Sequence, residues 1–308
     1  MFTKILVPLD GSALAEQAVR PAMALARAAG AEVLLLRSVA SVQPIFVLSS
    51  ALTGQFESGG DDDGLASRQQ AAHEYLTGIQ RRYEQPGGVV RVVAEIGEPA
   101  AAIVDVARER GVDLIVMSTH DGTGVRRAVW GSVTERVLHG ADCPVLVIRS
   151  PAPIRRVVIA LDGSELGERV LPPALAVARA LGAQVILLRV SDAPVLNPLE
   201  ISMMWDMEPS VADQDMLAAA RRAAGRYLDD VAARAGLSEG DTTLVLEGAP
   251  ADRIDEYARL TDVDLIAMST HGRTGLRRWL YGSVTARVMR GCNRSMLIVR
   301  PPAEALRG

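Results

Sequence analysis

Cysteine is scarce. Cys143 and Cys292 are the two in 308 residues, too few for a disulfide framework, and a reducing, cytoplasmic compartment is expected. No Cys/His cluster has zinc-ligand spacing, so no metal site of that kind is predicted. Aromatic residues make up 4%, which leaves no row of stacking side chains for single-stranded nucleic acid. Basic excess is missing too. With 33 Lys and Arg against 37 Asp and Glu the net charge is −4, and nothing electrostatic calls for nucleic acid. No uninterrupted apolar run approaches about 18 residues, so no membrane span is expected. The apolar run within Met1 to Asp10 is too short for a signal peptide and reads as a first strand.

Apolar residues are abundant instead, at 49%, and the length suits two domains. The chain repeats itself. Ile5-Leu6-Val7-Pro8-Leu9-Asp10-Gly11-Ser12 returns as Val157-Val158-Ile159-Ala160-Leu161-Asp162-Gly163-Ser164, 152 residues on. Val33 to Arg37 returns as Val185 to Arg189, Gly97-Glu98-Pro99-Ala100 as Gly248-Ala249-Pro250-Ala251, and Val145 to Arg149 as Met296 to Arg300. A period this long means duplicated domains rather than a solenoid. The expected domains are 1–150 and 151–308, joined by the short, stiff Ser150-Pro151-Ala152-Pro153.

Each half alternates strand and helix patterns. In the first, strands are predicted near 4–9, 32–39, 89–95, 113–118 and 144–149. Helices are predicted over 13–29, 66–84, 99–110 and 132–139, the first stopped by Gly30. The strands are continuous apolar runs, as in sheets covered on both faces. The expected fold class is therefore α/β, two repeated doubly wound parallel-sheet domains. Such sheets bind ligands outside the carboxyl ends of their strands. Asp10, Val39, Gly97 and the 118–132 loop fall at such ends, as do Asp162, Val190, Gly248 and the 269–283 loop. Two stretches are less regular: Gln43 to Gly64 reads as a mobile loop, and its counterpart Ser191 to Ala212 as a lid, a subunit contact or a partner surface.

The two loops carry the strongest motif. Ser269 to Ser283 follows a short apolar strand and precedes a helix, and Ser118 to Ser132 repeats it 151 residues earlier. Glycines there let backbone N–H groups approach an anion, and the helix start adds free N–H groups and its positive dipole end. Ser283 can reach a phosphate oxygen or cap the helix. Neither half has a P-loop or, after its first strand, a Gly-x-Gly-x-x-Gly. A nucleotidyl-transferase His-x-Gly-His is also missing.

This loop resembles the nucleotide-binding signature of the universal stress protein family: Gly, two residues, Gly, nine residues, Gly, then Ser or Thr. The second copy places Ser269, Gly272, Gly282 and Ser283 in those slots, departing at one. The first places Ser118, Asp121, Gly131 and Ser132, departing at two. The resemblance runs over nearly the whole chain and implies a tandem member with adenine nucleotide alpha hydrolase-like, Rossmann-like domains. It further implies ATP as ligand, with Mg²⁺ able to sit on the phosphates, and a regulatory output in stress response. The segments 144–149 and 295–300 should pair, and whole chains should form a homodimer.

Residue by residue, the resemblance implies that Asp10 and Asp162 lie beside the sugar. The residues alone also allow a simple Asx turn or N-cap there. Backbone groups at Ser38-Val39 and Val190-Ser191 are implied at the adenine. The loops contribute Ser118, His120, Gly131 and Ser132 in one half. In the other they contribute Ser269, His271, Gly272, Arg273, Gly275, Gly282, Ser283 and Val284. The unperturbed pKa of a histidine lies near neutrality, which allows a general-base role for His120 or His271, but no partner is placed beside either, and a structural hydrogen bond is the simpler role. Among Arg126, Arg127, Arg277 and Arg278, one of each pair is expected to face phosphates. Asp121, in the slot of Gly272, should weaken the first site. No catalytic residue is assigned. The alternatives are slow ATP hydrolysis or phosphoryl transfer, for which no base stands out, and a nucleotide-free scaffold.

Overall fold

The computed structural model describes residues 2–39, 62–83, 88–119, 130–191, 211–270 and 282–300. They form two compact units, each an α/β sheet wound on both faces. The first comprises the described part of Phe2–Ser118 together with Gly131–Ala141. The second holds Thr119, Trp130 and the described part of Asp142–Gly308.

In the first unit the order is β1 (Lys4–Pro8), α1 (Ala13–Glu16), α2 (Val19–Ala29), β2 (Glu32–Val39), α3 (Asp62–Tyr83), β3 (Val89–Ile96), α4 (Pro99–Glu109), β4 (Leu114–Ser118) and α5 (Ser132–Gly140). The strands lie in the order β3-β2-β1-β4, all parallel. Their centres are dry: Ile5, Leu6, Val7, Leu36, Leu114, Ile115 and Val116 have no exposure. Strands covered on both faces can be apolar at every position, which is why these runs lack alternation. The chain steps outward from β1 to β2 to β3, then crosses back to β4. Its direction of winding therefore reverses between β1 and β4.

The second unit contains β5 (Val145–Ile148), β6 (Arg156–Ala160), α6 (Glu165–Glu168), α7 (Leu171–Leu181), β7 (Gln184–Ser191), α8 (Val211–Ala235), β8 (Thr242–Glu247), α9 (Pro250–Leu260), β9 (Leu265–Ser269), α10 (Ser283–Gly291) and β10 (Ser295–Val299). Its order is β5-β10-β9-β6-β7-β8. The reversal here lies between β6 and β9. Strand β5 runs antiparallel to β10, with Leu146 opposite Leu297. The other pairs are parallel.

The helix expected over 13–29 is two helices, α1 and α2. Pro21 explains the break: it has no N–H for the Gln17 carbonyl and its ring crowds that carbonyl. The chain turns through tighter bonds there, Gln17 N–H to Leu14 and Ala18 N–H to Ala15. Pro172 and Pro173 break the second copy in the same way, between α6 and α7. Helix α2 then stops where expected, at Gly30 with φ 67°, and α7 at Gly182 with φ 63°. Asp62 to Gly64, assigned to a loop by sequence, belong to α3. Residues 43–61 and 192–210 lie outside the described residues.

One cluster in the second unit carries a buried charge. The last carbonyls of a helix have no partner within it, and at the end of α10 two side chains supply them. Trp130 Nε1 donates to the Met289 carbonyl at 2.5 Å. Arg149, 3% exposed, donates from Nη1 to the Cys292 carbonyl at 3.1 Å. The guanidinium also lies 4.6 Å from the Trp130 ring centre, a cation–π stack. A cation at a helix C-terminus complements the dipole as well.

Candidate functional site

Each reversal of winding opens a crevice at the carboxyl ends of the two strands that flank it, the usual ligand position in such sheets. Asp10 and Asp162 stand two residues past the ends of β1 and β6, and β4 and β9 end at Ser118 and Ser269. In both units the carboxylate follows the first strand, and the stretch from the fourth strand to the next helix carries the motif singled out in the sequence.

The carboxylates shape the turns they begin. Asp10 Oδ1 accepts from Ser12 N–H at 2.8 Å, and Ser12 Oγ caps α1 by accepting from Ala15 N–H at 3.1 Å. Asp162 Oδ1 accepts from the Ser164 N–H at 3.0 Å and from its hydroxyl at 2.7 Å, and Ser164 Oγ caps α6 through Gly167 N–H at 3.0 Å. The Asx turn is thus present in both copies. It engages Oδ1 of the exposed Asp10. Partial desolvation pushes the Asp10 carboxyl up, but hydrogen bonds from Ser12 and the charge of Arg37 outweigh it and hold its pKa below the ordinary value.

The two copies differ beneath the carboxylate. A Cβ on Gly167 would stand 2.3 Å from Asp162 Oδ1, so only glycine admits that pose. Ala15 occupies the equivalent place in the first copy. Accordingly Asp162 is half-buried against α6 and Asp10 is exposed.

At the ends of the second strands, Gly97 N–H donates to the Val39 carbonyl at 3.0 Å and Gly248 N–H to the Ser191 carbonyl at 3.2 Å. The counterpart of Val39 is therefore Ser191, and Val190 stands where Ser38 does. Ser38 Oγ donates to the Gly97 carbonyl at 2.6 Å. Beside Gly97, Glu98 caps α4 through Ala100 and Ala101, and Arg136 of α5 pairs with it at 2.7 Å.

The loops begin and end in the described residues. Ser118 is half-buried, with its hydroxyl 3.4 Å from the Ala15 carbonyl. Ser269 is buried, and its hydroxyl has no hydrogen-bond partner among the described residues. Its carbonyl accepts from Thr285 Oγ1 at 2.8 Å, tying the strand end to α10. The helices after the loops open on glycine. Gly131 and Gly282 hold the N-cap positions with extended torsions, and neither helix has a side-chain cap. Ser132 and Ser283 are the exposed first helical residues instead of caps. Val284 follows, half-buried. Gly282 is confined: a Cβ there would lie 3.1 Å from the Thr270 carbonyl oxygen, which accepts from its N–H. His120, Asp121, Arg126, Arg127, His271, Gly272, Arg273, Gly275, Arg277 and Arg278 lie outside the described residues.

The sequence model of the universal stress protein family matches residues 1–149 and again 153–300. The chain belongs to the universal stress protein family. It does so in tandem form, one copy in each half. A universal stress protein of Methanocaldococcus jannaschii is 34% identical over 153 residues, covering 49% of this chain and 84% of that one. Among solved structures, a universal stress protein of Pseudomonas aeruginosa UCBPP-PA14 aligns over 99% of this chain and 95% of its own, with TM-score 0.68 at 17% identity. One from Archaeoglobus fulgidus aligns over 96% and 98%, with TM-score 0.68 at 19% identity. Both likenesses are of fold. Among the described residues no helix is long and apolar enough to cross a membrane.

Sequence reasoning missed a set of side chains under each Asp-Gly-Ser turn. Arg37 lies over the Tyr75 ring at 4.9 Å and Arg189 over Tyr227 at 4.6 Å. Tyr75 donates its hydroxyl to Glu16 at 3.1 Å, and Arg82 pairs with Glu16 at 2.9 Å. In the second copy Arg234 pairs with Glu168 at 3.1 Å. Burial, then the neighbouring Glu16 or Glu168, raises the pKa of Tyr75 and Tyr227. A signal was available: Glu16, Arg37, Tyr75 and Arg82 recur unchanged as Glu168, Arg189, Tyr227 and Arg234, each 152 residues on.

Proposed function

We propose that this universal stress protein binds adenine nucleotide, ATP in the first instance, at the two strand-end crevices, and that binding serves a regulatory output in the cytoplasm. The observation that carries this reading is the placement of Asp10 and Asp162 across each reversal of winding from a loop that ends in an uncapped helix. The carboxylate accepts ribose hydroxyls, and Val39 and Ser191 present backbone groups to the base. The N–H groups of α5 and α10, with Ser132 and Ser283, receive phosphate oxygens. Mg²⁺, where present, neutralises phosphate charge. Each half, 1–150 and 151–308, carries one site, and two chains associate as a homodimer.

Asp162→Ala, in a chain whose first site is disabled by Asp10→Ala, is expected to weaken ATP binding by about 1–3 kcal/mol, the scale of a lost charge-assisted hydrogen bond. Isothermal titration calorimetry measures it. Unchanged affinity in the folded double variant would remove Asp162 from the site.

A further inference from the structure

The arginines beneath the two turns are unusual for cations so placed. Arg37 and Arg189 are half-buried, yet neither forms an ion pair with a carboxylate among the described residues, whereas Arg82 and Arg234 beside them do. A guanidinium withdrawn from water without a salt bridge needs another reason for its place. The tyrosine ring stabilises its charge through the π face. On its other side lies the glycine of the Asp-Gly-Ser turn. A Cβ on Gly11 would approach Arg37 Nη2 to 3.1 Å, and one on Gly163 would approach Arg189 Nη2 to 2.9 Å. The φ angles there, 94° and 86°, also favour glycine. The turn therefore rests directly on the guanidinium, in both copies.

We propose that Arg37 and Arg189 are positioning residues for Asp10 and Asp162, each guanidinium being clamped between a tyrosine ring and the glycine of the turn so that the carboxylate is held toward the ligand. The inference rests on the nucleotide reading for the identity of that ligand, but the clamp is a property of the ligand-free chain. Tyr75 is itself fixed by Glu16, and Glu16 by Arg82, so the platform is anchored from α1 and α3. Because Glu16 is engaged by Tyr75 and Arg82, it does not draw Arg37 away from the turn.

The charge of Arg37 also bears on Asp10 directly and contributes to its lowered pKa. Among the described residues, the charged and titratable groups on this side of Asp10 are Arg37 from β2 and Tyr75 from α3, with Glu16 of α1 and Arg82 of α3 bound behind Tyr75. Among these, Arg37 opposes protonation of Asp10. Removing Arg37 thus raises the Asp10 pKa. The carboxylate is then protonated at a higher pH, and any binding that needs its ionised form is lost earlier on acidification.

The test uses the full chain with Arg37→Met, which keeps an apolar stem on the Tyr75 ring, and with Arg37→Lys, which keeps the charge without the planar fork. NMR titration of the Asp10 carboxyl without nucleotide is expected to show an upward shift in the Met variant. The Lys variant should titrate close to wild type. ATP titration, in chains whose second site is disabled by Asp162→Ala, is expected to show roughly threefold to tenfold weaker binding for both variants at pH 7. For the Met variant the acid limb should also move to higher pH. An unchanged Asp10 titration in the folded Met variant overturns the proposal, and so does full ATP affinity in the Lys variant. A wild-type chain that binds no ATP would overturn the nucleotide reading instead, while the ligand-free titration would still decide the role of Arg37.

Discussion

Leu297→Pro is expected to unfold the second unit or to lower its stability by at least about 1–3 kcal/mol, the cost of leaving a buried backbone group unsatisfied. Strand β10 has a neighbour on each side: Leu297 pairs with Leu146 of β5 and with Ala267 of β9. It is fully buried. Proline removes an N–H from the ladder, and sheets accept it only at edges, strand starts or bulges. The orphaned carbonyl opposite has no water to turn to, which adds a desolvation cost. Val89→Pro is the control. Val89 is 51% exposed and begins β3, an edge strand of the first unit, so the same residue should cost far less there. Urea denaturation followed by circular dichroism measures both. A wild-type midpoint for Leu297→Pro would mean that β10 does not lie between β5 and β9.

Trp130→Ala is expected to cost about 3–5 kcal/mol, the range for deleting a large buried aromatic side chain. Three losses add up. The ring is 3% exposed and leaves a cavity. The Met289 carbonyl loses its donor. Arg149, buried beside it, loses the π face that stabilises its charge. Trp130→Phe separates them: it keeps an aromatic face for Arg149 and removes the N–H, so its cost should stay nearer about 1–2 kcal/mol. Equal costs for the two variants would show that the hydrogen bond, rather than the packing and the stack, dominates. A neutral Trp130→Ala would show that this cluster does not hold the end of α10.

Much of this architecture was legible because it is local or repeated. The apolar runs of β1, β2 and β4 stand out as buried strands, Gly30 marks the end of α2, and the equivalence of 145–149 with 296–300 picks out β5 and β10, whose pairing the structure shows. The break between α1 and α2 was also written in the sequence. Ala-rich periodicity across 13–29 masked it, although Pro21 denies Gln17 its helical partner. The counterpart of Val39 was misplaced by one residue because Ser38-Val39 and Val190-Ser191 look alike as dipeptides. The offset of 152 that matches Val33–Arg37 to Val185–Arg189 already points to Ser191, and the bonds from Gly97 and Gly248 agree with it. The Arg37–Tyr75 and Arg149–Trp130 stacks were hidden for a different reason. They join residues from separate elements, and no periodicity within one element reports which side chains meet across a sheet face. The pose of Asp162 over Gly167 is of the same kind: a helical glycine reads as a weak helix residue until the carboxylate above it is seen.

The central claim is that this universal stress protein holds adenine nucleotide at its two strand-end crevices. The most direct measurement is the mass of any small molecule released when the purified full-length chain is denatured, followed by titration of the stripped, refolded chain with ATP. The account predicts release of an adenine nucleotide, or saturable ATP binding by the stripped chain, that Asp10→Ala together with Asp162→Ala weakens. No nucleotide released and no saturable binding of ATP to a folded chain would contradict it.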